Sequence, residues 1–395
     1  MAFVCRWFFA SGATALRGFS WAHSCMSPSA CVTLGDMTRA AVLYEVDAPL
    51  IIEEVELGEP RAGEVSIRLV ASGVCHSDLH TLNGSFPWPL PAIFGHEGAG
   101  IVESVGPGVT NVEPGDHVIL TWLPYCGTCR QCLRGRPNIC EGQAWSDGGM
   151  MMDGTSRFTG AAGTIHHCTA SSFAERTVVA AQTCIRVDQS LDLVELCLFG
   201  CAVMTGVGAV RNSAKVQPGD SVAVVGCGGV GLNVVQGARI AGAGRIIAID
   251  RVPEKLALAQ ELGATEVINS AEVDPAAVLP EGVDHVFEAI GRTDTIETAI
   301  SLVAPGGQAL LIGMAPVGAT VPITPLDLTL TDRSIRGSWY GGVVPERDFS
   351  ILIDLYRSGE LRMDSIVQRI ALDDINDAFD AIRRGEAIRS VIVYP

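Results

Sequence analysis

Residues 221–250 read SVAVVGCGGVGLNVVQGARIAGAGRIIAID, and this stretch sets the architecture around it. Ser221 to Val225 is a short β-branched run that stops at a glycine, as a buried strand entering a turn would. Gly226, Gly228 and Gly231 then complete the pattern G-x-G-x-x-G, with Cys227, Gly229 and Val230 at the remaining positions, and a helical segment follows. The first glycine permits a tight turn and the second lets backbone approach a pyrophosphate. The third lets the helix close onto the strand, and the helix N-terminus faces the phosphates. Asp250 ends the next strand, 19 residues beyond Gly231. A carboxylate there accepts hydrogen bonds from ribose hydroxyls and repels a 2′-phosphate, which favours NAD over NADP. Arg251 beside it has two readings: a guanidinium that accommodates a 2′-phosphate, or a solvated surface charge.

Outward from this turn the pattern is regular. Downstream, RIIAID, PEKLALAQELGA, EVINS, HVFEAIG, TIETAISLVAPGG and QALLIGM alternate strand and helix, which predicts βαβ units on a doubly wound parallel sheet. From Met37 to about Cys201, runs such as VSIRLVASGV and GDHVILTWL are broken roughly every 8–12 residues by Gly, Pro, Asn or Asp, which predicts a β-rich domain. Past Trp339 come two helical stretches, ERDFSILIDLYRSGE and INDAFDAIRRGE, and a closing strand, SVIVYP. The expected fold is therefore α/β. A β-rich, partly barrel-like domain of residues 37–202, to which 339–395 return, wraps around a Rossmann domain of 203–338.

Residues 1–36 differ from the rest, with one acidic residue, three Cys and no hydrophobic period, and read as a disordered N-terminal extension. Their apolar run is too diluted for a secretory signal; a transit peptide or an upstream start codon ahead of Met37 both account for them. The 395 residues, 48% hydrophobic and 18% charged, exceed one core and exclude a disordered chain. Lys and Arg number 27 against 44 Asp and Glu, a net charge of −17 that repels nucleic acid and anionic lipid. No stretch has the roughly 20 apolar residues of a membrane span. Thirteen cysteines, many of them near His or other Cys, suit metal ligation in a reducing, cytoplasmic setting better than a disulfide framework.

Cys126, Cys129, Cys132 and Cys140 are spaced C-x2-C-x2-C-x7-C. Four thiolates around a tetrahedral ion make a closed structural zinc site. An iron–sulfur site and a redox C-x-x-C are the alternatives, but the seven-residue gap and Glu141 after the last Cys depart from the ferredoxin run. Upstream stands Gly95-His96-Glu97-Gly98-Ala99-Gly100. A metallopeptidase needs a second His where Gly100 stands, and read alone His96 is a satisfied core histidine.

Gly95-His96-Glu97, Gly100, Gly106 and Val109 fit a pattern that resembles the zinc-containing medium-chain alcohol dehydrogenases. The resemblance runs from about Met37 to Pro395 and takes in the four-cysteine lobe, GTSRF with its following HH, Cys201 and the GCGGVG turn. It implies a GroES-like catalytic domain and two Zn2+ per chain, with the catalytic ion held by Cys75, His96 and Cys201 and NAD as hydride acceptor. It implies that Ser77 takes the alcohol proton, that His80 passes it to solvent, that Asp78 orients His96, and that Glu97 behind the zinc assists ligand exchange. Ser77 as a turn hydroxyl and His80 as a surface residue are the plain alternatives. For the cofactor it implies His76 and Arg389 at the phosphates, Thr205 behind the nicotinamide and Lys255 near the adenosine, although each also reads as a solvated or helix residue.

The leading expectation is an NAD-dependent zinc enzyme that interconverts small primary alcohols, aromatic or medium-chain, and aldehydes, as a homodimer or homotetramer. Phe86 and Trp88 in GSFPWPLP, Trp122, and Ala144 stand where the glutathione-linked branch carries charges or lines its pocket. Apolar groups there favour apolar alcohols over a charged tripeptide adduct, unless Phe86 and Trp88 pack inward and never meet substrate. The alternatives are a thiol-dependent formaldehyde dehydrogenase, a nicotinoprotein that keeps its cofactor, and a non-catalytic nucleotide-binding protein.

Overall fold

The computed structural model describes residues 36–142 and 148–395. The N-terminal extension up to residue 35 and the Ala144 position lie outside the described residues.

Ser221–Val225 is the centre of a six-stranded parallel sheet. Across the sheet the order is Glu266–Asn269, Arg245–Asp250, Ser221–Val225, Val283–Glu288, Val303–Leu311 and Ser334–Gly337. In chain order this is 3-2-1-4-5-6, the arrangement of dinucleotide-binding sheets, in which ligands lie beyond the carboxyl ends of the strands where the order reverses. Strands buried on both faces must be apolar throughout, and Val222 to Val225 and Ile246 to Ile249 are all buried. The helix Gly229–Ile240 covers one face, and Pro253–Leu262 and Thr293–Ser301 return the chain between strands.

The β-rich part contains two sheets. Asp36–Leu43, Ile51–Leu57, Phe158–Gly160, Gly163–His167 and Ala92–Ile93 close into a small barrel. A seven-stranded sheet runs Cys184–Val187, His117–Leu120, Glu97–Val105, Glu64–Gly73, Ser390–Val393 and Gln368–Ile370, with Arg176–Ala180 also on Glu64–Gly73. Ser390–Val393 pairs antiparallel with the end of Glu64–Gly73, so the last strand of the chain lies beside the segment leading to Cys75. Phe94, Phe158, Phe173 and Phe379 fill the core of this region without exposure above 1%. Among the described residues no single helix is long and apolar enough to cross a membrane.

Candidate active site and metal centres

Cys75 caps the short helix His76–Leu82. Its Sγ accepts from the Ser77 backbone N–H at 3.5 Å, and its own N–H donates to Asp78 Oδ2 at 3.2 Å. The other oxygen of Asp78 accepts from Gly95 N–H at 3.3 Å and lies 3.0 Å from His96 Nδ1. A carboxylate has no proton to give, so the His96 Nδ1–H donates, which leaves Nε2 as the nitrogen that would meet a metal once it carries no proton. One buried acid thus fixes both Cys75 and His96. Burial resists charge on His96, but Asp78 and Cys75 outweigh it and raise the imidazole above its ordinary range.

Cys201 arrives from the other side, at the start of the helix Ala202–Gly208. The donor atoms of Cys75, His96, Glu97 and Cys201 all lie within 4.8 Å of one another, and all four residues are buried. The hydrogen bond from Cys201 is the largest cause holding Cys75 well below the usual thiol range, and the same contact pushes Cys201 up. Two thiols and one imidazole are the donor set of a catalytic zinc with an open fourth position. Glu97 accepts from Ala202 N–H at 3.2 Å through Oε1, while its Oε2 has no partner among the described residues. Burial lifts its carboxyl to about 7, against the pull of Arg389.

Arg389 pairs with Glu97 and is itself buried, a contact the sequence reading did not foresee. It also borders the cofactor turn, since a Cβ on Gly229 would meet its side chain at 3.4 Å. Its Nε has no partner among the described residues. Arg389 therefore joins the metal cluster to the helix that follows the glycines.

The glycine turn has the shape a pyrophosphate requires. Gly226 has φ +100°, and a Cβ on Gly231 would stand 1.7 Å from the Gly226 carbonyl oxygen. A Cβ on Gly228 would meet nothing within 4 Å, so its backbone faces free space. Val230 lies in the first turn of the helix Gly229–Ile240. Half-buried Asp250 accepts from Cys227 N–H at 2.8 Å, Arg251 N–H at 2.7 Å and Val252 N–H at 3.0 Å. Buried Thr205 lies on the helix that starts at Cys201. Lys255 is not free; its Nζ donates to the Gly385 carbonyl at 2.7 Å.

His76 and His80 lie on one helix with ring centroids 5.0 Å apart. Burial, then the neighbouring His76, holds His80 below its ordinary range, which favours the neutral imidazole. Ser77 is half-buried in the first turn of the same helix.

Trp122 stands edge-on to His96, with centroids 6.3 Å apart, and packs on Trp339 and Tyr340 at 5.2 and 4.8 Å. Phe86 and Trp88 stack at 6.5 Å. Phe86 is exposed, whereas the Trp88 indole N–H donates to the His167 carbonyl at 2.9 Å and so anchors the loop to the barrel. A cavity of about 880 Å3 borders Trp339 but none of Trp122, Tyr340, Phe86 and Trp88; Arg136, Arg211, Lys215, Arg336 and Arg347 are among its lining.

Cys126, Cys129, Cys132 and Cys140 converge with all donor atoms within 4.8 Å. The Cys126–Cys140 and Cys129–Cys140 sulfurs are 3.5 and 3.8 Å apart, close to the roughly 3.8 Å edge of a tetrahedron with 2.3 Å Zn–S bonds. Backbone N–H groups of Cys126, Cys129, Cys132, Glu141 and Gly142 point at these sulfurs from 3.3 to 3.5 Å. Such bonds offset thiolate charge; those from Thr128 and Cys129 hold Cys126 down to about 6.

Two family models match the chain: an alcohol dehydrogenase GroES-like domain over residues 61–189 and a zinc-binding dehydrogenase over 229–358. The S-(hydroxymethyl)glutathione dehydrogenase of Synechocystis sp. is 44% identical over 368 residues, covering 90% of this chain and all of that protein. The Escherichia coli protein of the same name is 43% identical at the same coverage. Among solved structures, benzyl alcohol dehydrogenase from Acinetobacter calcoaceticus is 33% identical, with a TM-score of 0.87, 91% of this chain and 100% of that one covered. An alcohol dehydrogenase zinc-binding domain protein from Burkholderia ambifaria is 38% identical, also at TM-score 0.87, covering 91% and 99%.

Proposed function

Because the chain belongs to the zinc-dependent medium-chain alcohol dehydrogenases, with Zn2+ and NAD as cofactors, we propose that it oxidises the hydroxymethyl adduct of a thiol, and reduces the product in reverse. The balanced reaction is R–S–CH2OH + NAD+ → R–S–CHO + NADH + H+. The observation that carries an oxidoreductase is the convergence of Cys75, His96 and Cys201, linked through Glu97 and Arg389 to the glycine turn. Zinc there would supply a Lewis acid for the substrate hydroxyl, and NAD would accept hydride.

The chain's own groups do the rest. Asp78 sets the His96 tautomer, Ser77 takes the hydroxyl proton, and neutral His80 carries it toward solvent. Glu97 supports the cluster from behind, and Arg389, His76, Thr205 and Lys255 bound the cofactor. Residues 37–202 with 339–395 form the catalytic part and 203–338 the cofactor part. A reducing cytoplasm suits the unpaired thiols, and the chain acts as a homodimer or homotetramer.

The relatives reverse the order of substrates drawn from the sequence, which placed apolar alcohols first. A second reading, an aromatic or medium-chain alcohol, keeps the support of Trp122 beside His96 and of the benzyl alcohol dehydrogenase neighbour. Measuring kcat/KM for formaldehyde with glutathione, formaldehyde with an uncharged thiol, benzyl alcohol and hexanol separates the two. Activity at least about tenfold higher with a thiol adduct is expected; a clear preference for benzyl alcohol or hexanol sinks the thiol reading.

A further inference from the structure

Apart from Glu97 and Arg389 at the cluster itself, two further polar atoms are buried without a hydrogen-bond partner among the described residues and share one cavity: the indole Nε1 of Trp122, which stands edge-on to His96, and the hydroxyl of Thr169. Both residues line one cavity of about 30 Å3, together with Met150, Met151 and His167. Trp122 ties this cavity to the reaction centre through its edge-on contact with His96. The other polar side chains of the wall are engaged. His167 Nε2 accepts from Arg157 N–H at 3.1 Å and its Nδ1 lies 3.5 Å from the Ser171 hydroxyl. Thr121 accepts from Leu123 N–H at 3.3 Å, and Thr183 donates to the Ala180 carbonyl at 2.8 Å. Among the described residues of the wall, the Trp122 N–H and the Thr169 hydroxyl are the polar side-chain atoms that remain to meet an occupant.

The backbone adds an independent sign. Thr169 has φ +56°, a left-handed conformation that is sterically costly for a β-branched residue and persists where the surroundings impose it. The cavity's volume of about 30 Å3 suits a small group such as a hydroxyl or carbonyl oxygen. Met150 and Met151 give it an adaptable apolar lining, so discrimination falls to the two polar atoms. A buried donor left unpaired is what makes a site reject an analogue that lacks the matching oxygen.

We propose that Trp122 and Thr169 form a specificity pair that hydrogen-bonds one neutral oxygen, a hydroxyl or carbonyl, carried by the same molecule as the alcohol that is oxidised. This rests on the reading of the Cys75–His96–Cys201 cluster as an alcohol-oxidising site, and it narrows either substrate class to members that bear a second oxygen. Purely apolar alcohols leave both atoms unpaired.

Calorimetric titration of the zinc enzyme with NADH bound, where an alcohol binds without being oxidised, tests the pair. The probes are benzyl alcohol and its 2-, 3- and 4-hydroxy derivatives; the proteins are wild type, Thr169→Val, Thr169→Ser and Trp122→Phe. In the wild type at least one hydroxy derivative should bind roughly tenfold tighter than benzyl alcohol, the worth of one hydrogen bond. Thr169→Val and Trp122→Phe should shrink that ratio to about twofold or less, and Thr169→Ser, which keeps the hydroxyl, should retain it. A wild-type ratio near one, or a ratio unchanged in the Val and Phe variants, overturns the proposal and leaves an ordered water as the occupant. Turnover of the same alcohols with NAD is measured alongside. A preserved ratio without turnover would refute the dehydrogenase reading and leave the specificity pair standing.

Discussion

Asp250 combines a loop-fixing contact with the cofactor role proposed for it. Its carboxylate fixes the loop through the N–H groups of Cys227, Arg251 and Val252, and it stands where the ribose hydroxyls of a dinucleotide would bind. Asp250→Gly removes the acceptor and the negative charge that repels a 2′-phosphate, and leaves exposed Arg251 as the nearest charge in the sequence. Hydrogen bonds to a charged group contribute about 1.5–3 kcal/mol, so kcat/KM for NAD should fall roughly 10–100-fold while the ratio of NADP to NAD use rises. Asp250→Asn, which keeps one acceptor oxygen, should fall between the two. Steady-state kinetics with both cofactors decides, and a wild type that already prefers NADP would refute the assignment.

The four-cysteine loop from Cys126 to Cys140 has little structure of its own: the short helices Arg130–Leu133 and Pro137–Ile139, and a fan of N–H groups aimed at sulfur. Its shape therefore depends on the ion. Cys140→Ser, or prolonged chelation, should reduce zinc from two ions per chain to one. A ligand present at about 100 times its Kd stabilises by about 2.7 kcal/mol, and each kcal/mol shifts Tm by about 2–4 °C, so a fall of roughly 5–10 °C is expected. Cys201→Ser should instead abolish turnover with Tm little changed; metal analysis that returned iron, or one ion in the wild type, would overturn the assignment. This loop and the glycine turn were legible because their function is written in local spacing, and the helices at Pro253–Leu262, Pro345–Arg357 and Ile375–Arg384 because their apolar period is local too. Strand partners were not. A short β-branched run marks SVIVYP as a strand, but only tertiary packing places it against Glu64–Gly73. The Glu97–Arg389 pair has no sequence signal for the same reason: it depends on segments 292 residues apart meeting.

At the scale of the whole molecule, the parallel sheet ends on Ser334–Gly337, which pairs only with Val303–Leu311 among the described residues and leaves its outer edge open. Just before it in the chain, Val317 is 84% exposed, Leu330 76%, Leu326 65% and Ile323 52%. An open strand edge beside several exposed large aliphatic residues is what soluble proteins normally cover, because it templates further pairing and leaves apolar surface in water. A second copy related by a two-fold axis would cover both at once, since the same strand and the same patch would then face themselves. The net charge of −17 opposes association at long range, so such a contact would rely on this apolar surface and should tighten when salt screens the charge. Light scattering should therefore give twice or four times the chain mass for the wild type. Leu326→Asp with Leu330→Asp should shift it toward the single chain, because two carboxylates would then be buried opposite their own copies. Both positions lie on the short helix Pro325–Thr331, which contributes no member of either candidate metal cluster, so zinc content should stay at two ions per chain in the variant. A wild type that runs as one chain at micromolar concentration, or a double variant that stays fully associated, would remove this edge as the site of self-association.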